Sequence, residues 1–162
     1  MAIAAHPVER ARCFSCRADR ASRASCQSHE EAFEVLTDEQ KSFFKKPNFG
    51  HLATLNSDGS PHVSPVWIDV DDEHILVNTA EGRKKLRNVK ADPRVALEVH
   101  EQDNPYSILS VTGEVVEITG DGADEHIDAL SSRYLGKDKY PFAKPGEERI
   151  ILKILPNKVM AP

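Results

Sequence analysis

The run Asn78-Thr79-Ala80-Glu81-Gly82-Arg83-Lys84-Lys85-Leu86-Arg87-Asn88-Val89-Lys90-Ala91-Asp92-Pro93-Arg94 decides how this chain is read. An apolar, β-branched run ends at Val77, just before it. Gly82 breaks the chain, and a short helix follows that Asp92-Pro93 closes. Leu86 and Val89 stand three apart and can face a core. Arg83, Lys84, Lys85, Arg87 and Lys90 cover the rest of the helix. Positive charge at a helix start opposes the helix dipole, at the end where backbone N–H groups point outward. An anion such as a phosphate, held by Arg forks and Lys point charges, would offset that cost. The other reading is a solvated basic face, which charge runs often are.

Working outward, the flanking segments read as strands. Leu36 begins the ordered part, and Thr37-Asp38-Glu39-Gln40 fits a capping box opening a short helix that Pro47 stops. Phe49 to Asn56 alternates as a strand. Ser57-Asp58-Gly59-Ser60 makes a hairpin turn. Pro61 to Val70 returns, interrupted by Pro65, which requires an edge or bulged position. His74 to Val77, Val95 to His100 and Ser107 to Ile118 give three more strands, with Gln102 to Pro105 as a polar loop and Gly113 as a bend. A helix runs from Ala123 to Tyr134, and Arg149 to Leu155 is the last strand. The expected fold is mainly β (α+β): a six-stranded antiparallel split β-barrel with short flanking helices, occupying residues 35–160.

Residues 1–34 stand apart as an Arg/Ser-rich extension, expected to be disordered. Within it Cys13, Cys16, Cys26 and His29 form a formally acceptable zinc set, but the spacer is short and apolar residues are few. No metal is therefore assigned. With 162 residues and a net charge of −5, the chain is long enough for one real core and is not a general nucleic-acid binder. No apolar stretch approaches the roughly 20 residues of a membrane span, and no secretory leader is evident. A cytoplasmic location is expected.

No side-chain enzyme announces itself: there is no G-x-S-x-G and no H-E-x-x-H. The carboxylates Asp69, Asp71, Asp72 and Glu73 read as a charged turn. If the protein is an enzyme, a cofactor carries the chemistry.

Several stretches, in order, resemble one superfamily: Gly50-His51-Leu52-Ala53-Thr54-Leu55, Asp58-Gly59-Ser60-Pro61, Ser64-Pro65-Val66-Trp67, Asn78 to Asn88, Asp92-Pro93-Arg94-Val95, Gly113-Glu114-Val115 and Tyr140-Pro141-Phe142. Over residues 36 to 160 the chain is similar to the pyridoxamine 5'-phosphate oxidase-like (PPOX class) FMN-binding split-barrel superfamily, and within it to the deazaflavin-dependent oxidoreductases. The resemblance implies a homodimer with cofactor at the subunit interface and a small-molecule substrate. It implies that Asn78, Thr79, Arg83, Lys84 and Lys85 hold the cofactor phosphate, that Arg87 and Asn88 support them, and that Ser64, Pro65, Val66 and Trp67 lie along the ring system. No residue is assigned as catalytic. The coenzyme implied is F(420), with FMN as the alternative; the extra cations Lys84, Arg87 and Lys90 suit the acidic tail of F(420). A different class also stays open, a non-catalytic cofactor- or haem-binding protein, with His51, His62, His100 or His126 as axial candidates.

Overall fold

The computed structural model describes residues 36–160. The Cys13, Cys16, Cys26, His29 set and the 1–34 extension lie outside the described residues. The capping box is present: the Thr37 side chain accepts from the Gln40 N–H, and the Gln40 side chain accepts from the Thr37 N–H. It opens α1 (Asp38–Phe44), whose Phe44 is buried. Seven strands follow: β1 (Gly50–Leu55), β2 (Pro61–Val66), β3 (Ile68–Val70), β4 (Ile75–Ala80), β5 (Arg94–Glu101), β6 (Asn104–Thr119) and β7 (Arg149–Met160). Two further helices are α2 (Lys84–Ala91), between β4 and β5, and α3 (Ala123–Leu135), between β6 and β7.

All strands pair antiparallel in one sheet of order β2-β1-β5-β6-β7-β4-β3. The sheet's two edge strands, β2 and β3, are consecutive in the chain and separated only by Trp67. One extended segment therefore leaves one edge and joins the other, and this curls the sheet into a split barrel. This corrects the six-strand expectation: Pro61 to Val70 is two strands because it serves two edges. The break falls at Trp67, not at Pro65. Pro65 stays in register opposite His51, on an edge strand where a missing donor is tolerated.

Three other boundaries differ. β4 runs on through Asn78, Thr79 and Ala80, opposite Ile151, Ile150 and Arg149. The 102–105 loop shrinks to a tight turn, and β6 starts at Asn104. β7 passes Pro156 to Met160, because a register shift at Thr112/Gly113 accommodates the proline.

The inward residues Leu52, Ile68, Val77, Leu97, Val99, Val111, Leu152 and Ile154 form the barrel core. Leu86 and Val89 of α2 join it, as their spacing predicts. Among the described residues, no helix is long and apolar enough to cross a membrane.

Candidate functional site

A groove of about 400 Å³ opens where β2, the Trp67 corner, β4 and the start of α2 meet. That volume lies within the range of small-molecule sites. Its cationic end begins at Gly82, whose φ of 77° makes the turn that starts α2. Glycine takes such a φ without strain. Arg83 is the N-cap and makes no side-chain cap, and the first turn holds no acidic residue. Arg87 Nη1 donates to the Gly82 carbonyl at 2.7 Å and braces the turn. Asn88 Nδ2 donates to Thr54 Oγ1 and Asn56 Oδ1, pinning the helix to the β1 end of the barrel. Arg83, Lys84 and Lys85 line the groove, and Arg149 joins them from β7.

Arg149 is held rather than free. Its Nε and Nη2 donate to Asn78 Oδ1 at 2.8 and 2.6 Å, and its Nη1 reaches Glu147 at 3.3 Å. Its guanidinium also sits over the Tyr140 ring at 5.1 Å. Asn78 Nδ2 donates to the Ala123 carbonyl. The Asn78 amide is thus occupied, and its part in the groove is to fix Arg149. Glu147 also receives Arg83 Nη2 at 3.1 Å. Four cations line the wall, and no carboxylate does. Burial first, then the like charges of Arg83 and Arg149, pull the Lys85 ammonium down to about 8. A bound anion would relieve that repulsion.

The other end is aromatic and polar. Trp67 stacks on Tyr134 at 5.0 Å and meets Tyr140 edge-on at 5.7 Å. Phe49 completes the wall, edge-on to Tyr134. The Tyr134 hydroxyl accepts from the Ile68 N–H and donates to the Asn48 carbonyl, so it holds the corner that Trp67 turns. From β2, His62, Ser64 and Val66 line the same wall. Ser64 Oγ and His62 Nδ1 are buried there without a hydrogen-bond partner. Buried polar atoms are normally satisfied, so a pair without partners on a groove wall suits a polar ligand edge.

The groove therefore gathers Ser64, Pro65, Val66, Trp67, Asn78, Thr79, Arg83, Lys84 and Lys85 of the residues singled out from sequence. Arg87 and Asn88 do not line it; they brace α2 from behind. Of the four histidines considered as axial ligands, His62 lines the groove. His126 lies behind the wall, with Nδ1 3.4 Å from Asn78 Nδ2 and Nε2 3.8 Å from Asp69. Burial holds it below the ordinary histidine value. His51 and His100 sit elsewhere, stacked on each other. Sequence reading missed Arg149, and it named His62 only as one of four candidate haem ligands. Arg149 opens an apolar strand, and only its pairing opposite Ala80, 69 positions away in register with β4, brings it to the site.

Residues 36–160 match the family model of pyridoxamine 5'-phosphate oxidase. The chain belongs to the pyridoxamine 5'-phosphate oxidase family. This family is a class of FMN-binding oxidoreductases. An F(420) reductase is 34% identical, with a TM-score of 0.68 over 77% of this chain and 98% of that one. A conserved hypothetical protein of Mycobacterium tuberculosis is 25% identical, with a TM-score of 0.56 over 78% of this chain and 84% of that one. General stress protein 26 of Bacillus anthracis, at 18% identity and TM-score 0.54 over 73% of this chain and 86% of that one, shares the fold. The residues present fit the type of cofactor the pyridoxamine 5'-phosphate oxidase family binds. The cations Arg83, Lys84, Lys85 and Arg149 could hold a phosphate, the rings of Phe49, Trp67 and Tyr140 could flank a flat ring, and Ser64 and His62 are polar groups on the same wall.

Proposed function

We propose that the groove binds the deazaflavin coenzyme F(420) and that the protein is an F(420)-dependent oxidoreductase acting as a homodimer on an unsaturated or conjugated small molecule. The observation that carries this reading is the groove wall: in a chain of net charge −5, it holds Arg83, Lys84, Lys85 and Arg149, against the single carboxylate of Glu147 that pairs with the two arginines from behind. Such a surplus of cations suits a ligand with more negative charge than one phosphate, as the acidic tail of F(420) supplies. The 34% likeness to an F(420) reductase supports the same coenzyme. When bound, the deazaflavin ring supplies two-electron hydride chemistry. This chain's residues bind and orient. Arg83, Lys84, Lys85 and Arg149 hold the anionic chain, and Asn78 and Glu147 keep Arg149 aimed. Trp67, Phe49 and Tyr140 offer flat faces and keep water from the ring. Ser64 and His62 fix its in-plane orientation.

FMN is the second reading, favoured by the match to an FMN-binding family. Parallel fluorescence titrations with F(420) and FMN separate the two. Tighter F(420) binding, weakened about 10–100-fold in both Arg83→Ala and Arg149→Ala, is the expected outcome, given roughly 1.5–3 kcal/mol per charged hydrogen bond. Tighter FMN binding moves the protein to the flavin reading. Binding unchanged in both variants leaves the basic cluster a solvated face and ends the proposal.

A further inference from the structure

A second constellation lies away from the groove, on the outer surface of the barrel. His51 on β1 stands directly opposite Glu98 on β5, and His100 follows Glu98 by two residues on the same strand. Residues directly opposite across an antiparallel pair, and residues two apart on one strand, face the same side of the sheet. That side is outward, because Leu52, Leu97 and Val99, which alternate with them, are core. None of the three residues lines the groove.

The side chains converge. His51 Nδ1 lies 3.0 Å from one Glu98 oxygen and His100 Nδ1 3.1 Å from the other. The two imidazoles are parallel within 8°, with centroids 6.0 Å apart. One ligand atom from each of the three residues lies within 4.8 Å of the others. Bonds of about 2.0–2.2 Å to a common ion need ligand atoms closer than this, so small side-chain rotations would complete a site. The backbone positions are set by strand register rather than by a loop, which favours a preorganised site. The side chains are about one-third to two-fifths exposed, so an ion can reach them. The cross-strand row through the site reads Pro65, His51, Glu98, Ser110, Met160 and contains no Lys or Arg to compete for the carboxylate.

We propose that His51, Glu98 and His100 form a binding site for a divalent transition-metal ion of the zinc or nickel class. Two imidazoles and one carboxylate are the donor set such ions take, whereas magnesium and calcium prefer oxygen ligands throughout. Three protein ligands leave at least one position for water or another donor. The site is independent of the cofactor groove.

The test uses the full chain, because Cys13, Cys16, Cys26 and His29 offer a rival ligand set. Zinc and nickel are titrated by competition with a chromophoric chelator into wild type, His51→Gln/His100→Gln, Glu98→Gln and Cys13→Ser/Cys16→Ser/Cys26→Ser. Loss of even an outer-shell partner costs about 10–100-fold in metal affinity. The histidine double variant is expected to lose at least that much, and the cysteine variant to keep the histidine site. Nickel should also broaden the ring signals of His51 and His100 in the wild-type NMR spectrum, a readout that does not need the variants to fold. Equal binding by wild type and the histidine double variant overturns the proposal. So does nickel broadening that spares both rings.

Discussion

Lys85 is the residue whose chemistry most directly reports what the groove holds. Its ammonium is pulled from 10.5 to about 8 by burial and by the neighbouring charges of Arg83 and Arg149. A phosphate placed among these three would favour the charged form and raise the value again. The sign follows: at a pH a little above 8, free Lys85 is largely neutral and ligand-bound Lys85 is protonated. Binding must then take up a proton, and affinity must fall as pH rises through about 8. The phosphate is already fully ionised there and contributes no proton of its own. Calorimetry at about pH 8.5, in buffers of different ionisation enthalpy, should show uptake in wild type and none in Lys85→Arg. Identical heats in all buffers would remove Lys85 from the site. Asn78 makes a second prediction at this scale. Asn78→Ala leaves Arg149 without its main acceptor and no longer aimed, so cofactor affinity should drop about tenfold in a titration, a loss of roughly 1.4 kcal/mol. An unchanged affinity would mean that Glu147 and Tyr140 alone aim Arg149. The cations of α2 and its N-cap were legible in the sequence because five of them crowd one short helix in an acidic chain, although Lys90 falls in the last turn and pairs with Glu81. Arg149 was not. It is a single polar residue on a strand, and what makes it part of a site is its pairing opposite Ala80, far away in sequence.

The segment from Pro61 to Val70 is the element on which both fold and groove turn. It supplies the two sheet edges, and its kink at Trp67 places Ser64, Val66 and Trp67 on the groove wall. Local pattern showed that this strand is interrupted but located the interruption at Pro65, since proline is the visible breaker. The real cause is global: the segment has to leave one edge and join the other. Capping box, basic helix and Gly113 bend were readable because each is a local device. The ends of β6 and β7 were not, because polar residues and Pro156 read as strand ends while their ladder partners lie far away in sequence. The kink depends on Tyr134, whose hydroxyl serves both Ile68 N–H and Asn48 carbonyl. Tyr134→Phe leaves two polar groups without that partner and should cost about 1–3 kcal/mol in denaturant unfolding. It should also change the fluorescence of the stacked Trp67. Loss of stability with Trp67 emission unchanged would mean that the hydroxyl does not set the corner. The corner also needs Gly50. A Cβ there would overlap Ile68 Cδ1 and lie 2.9 Å from Ile68 Cγ1 and 3.1 Å from Leu97 Cδ1. Ile68 is fully buried, so its side chain can yield only by repacking the core. Gly50→Ala should therefore destabilise by about 1–3 kcal/mol through overpacking. A neutral effect would show that β3 shifts freely against β1.

The molecule as a whole carries its charge unevenly, with net −5 overall and four cations around one groove. The groove's rim is also apolar where it meets solvent. Phe49 is 45% exposed and Phe142, edge-on to Tyr140, is 63% exposed. Large aromatic rings beside a binding groove are surface that a second copy of the chain would cover, and the proposed homodimer places it there. Linkage turns this into a measurement. If a second copy walls the groove, cofactor binds the dimer more tightly than the monomer, and by reciprocity cofactor must tighten the dimer by the same factor. Dilution should then raise the apparent cofactor dissociation constant once the protein falls below its own dimer dissociation constant. Sedimentation of the same samples should show saturating F(420) shifting the mass from one chain toward two. Phe142→Asp should weaken association and cofactor binding together, because an unpaired charge at an interface loses its water without a partner. A cofactor affinity constant across the whole dilution range, or a Phe142→Asp protein that is monomeric yet binds as wild type does, would show that one chain completes the groove alone.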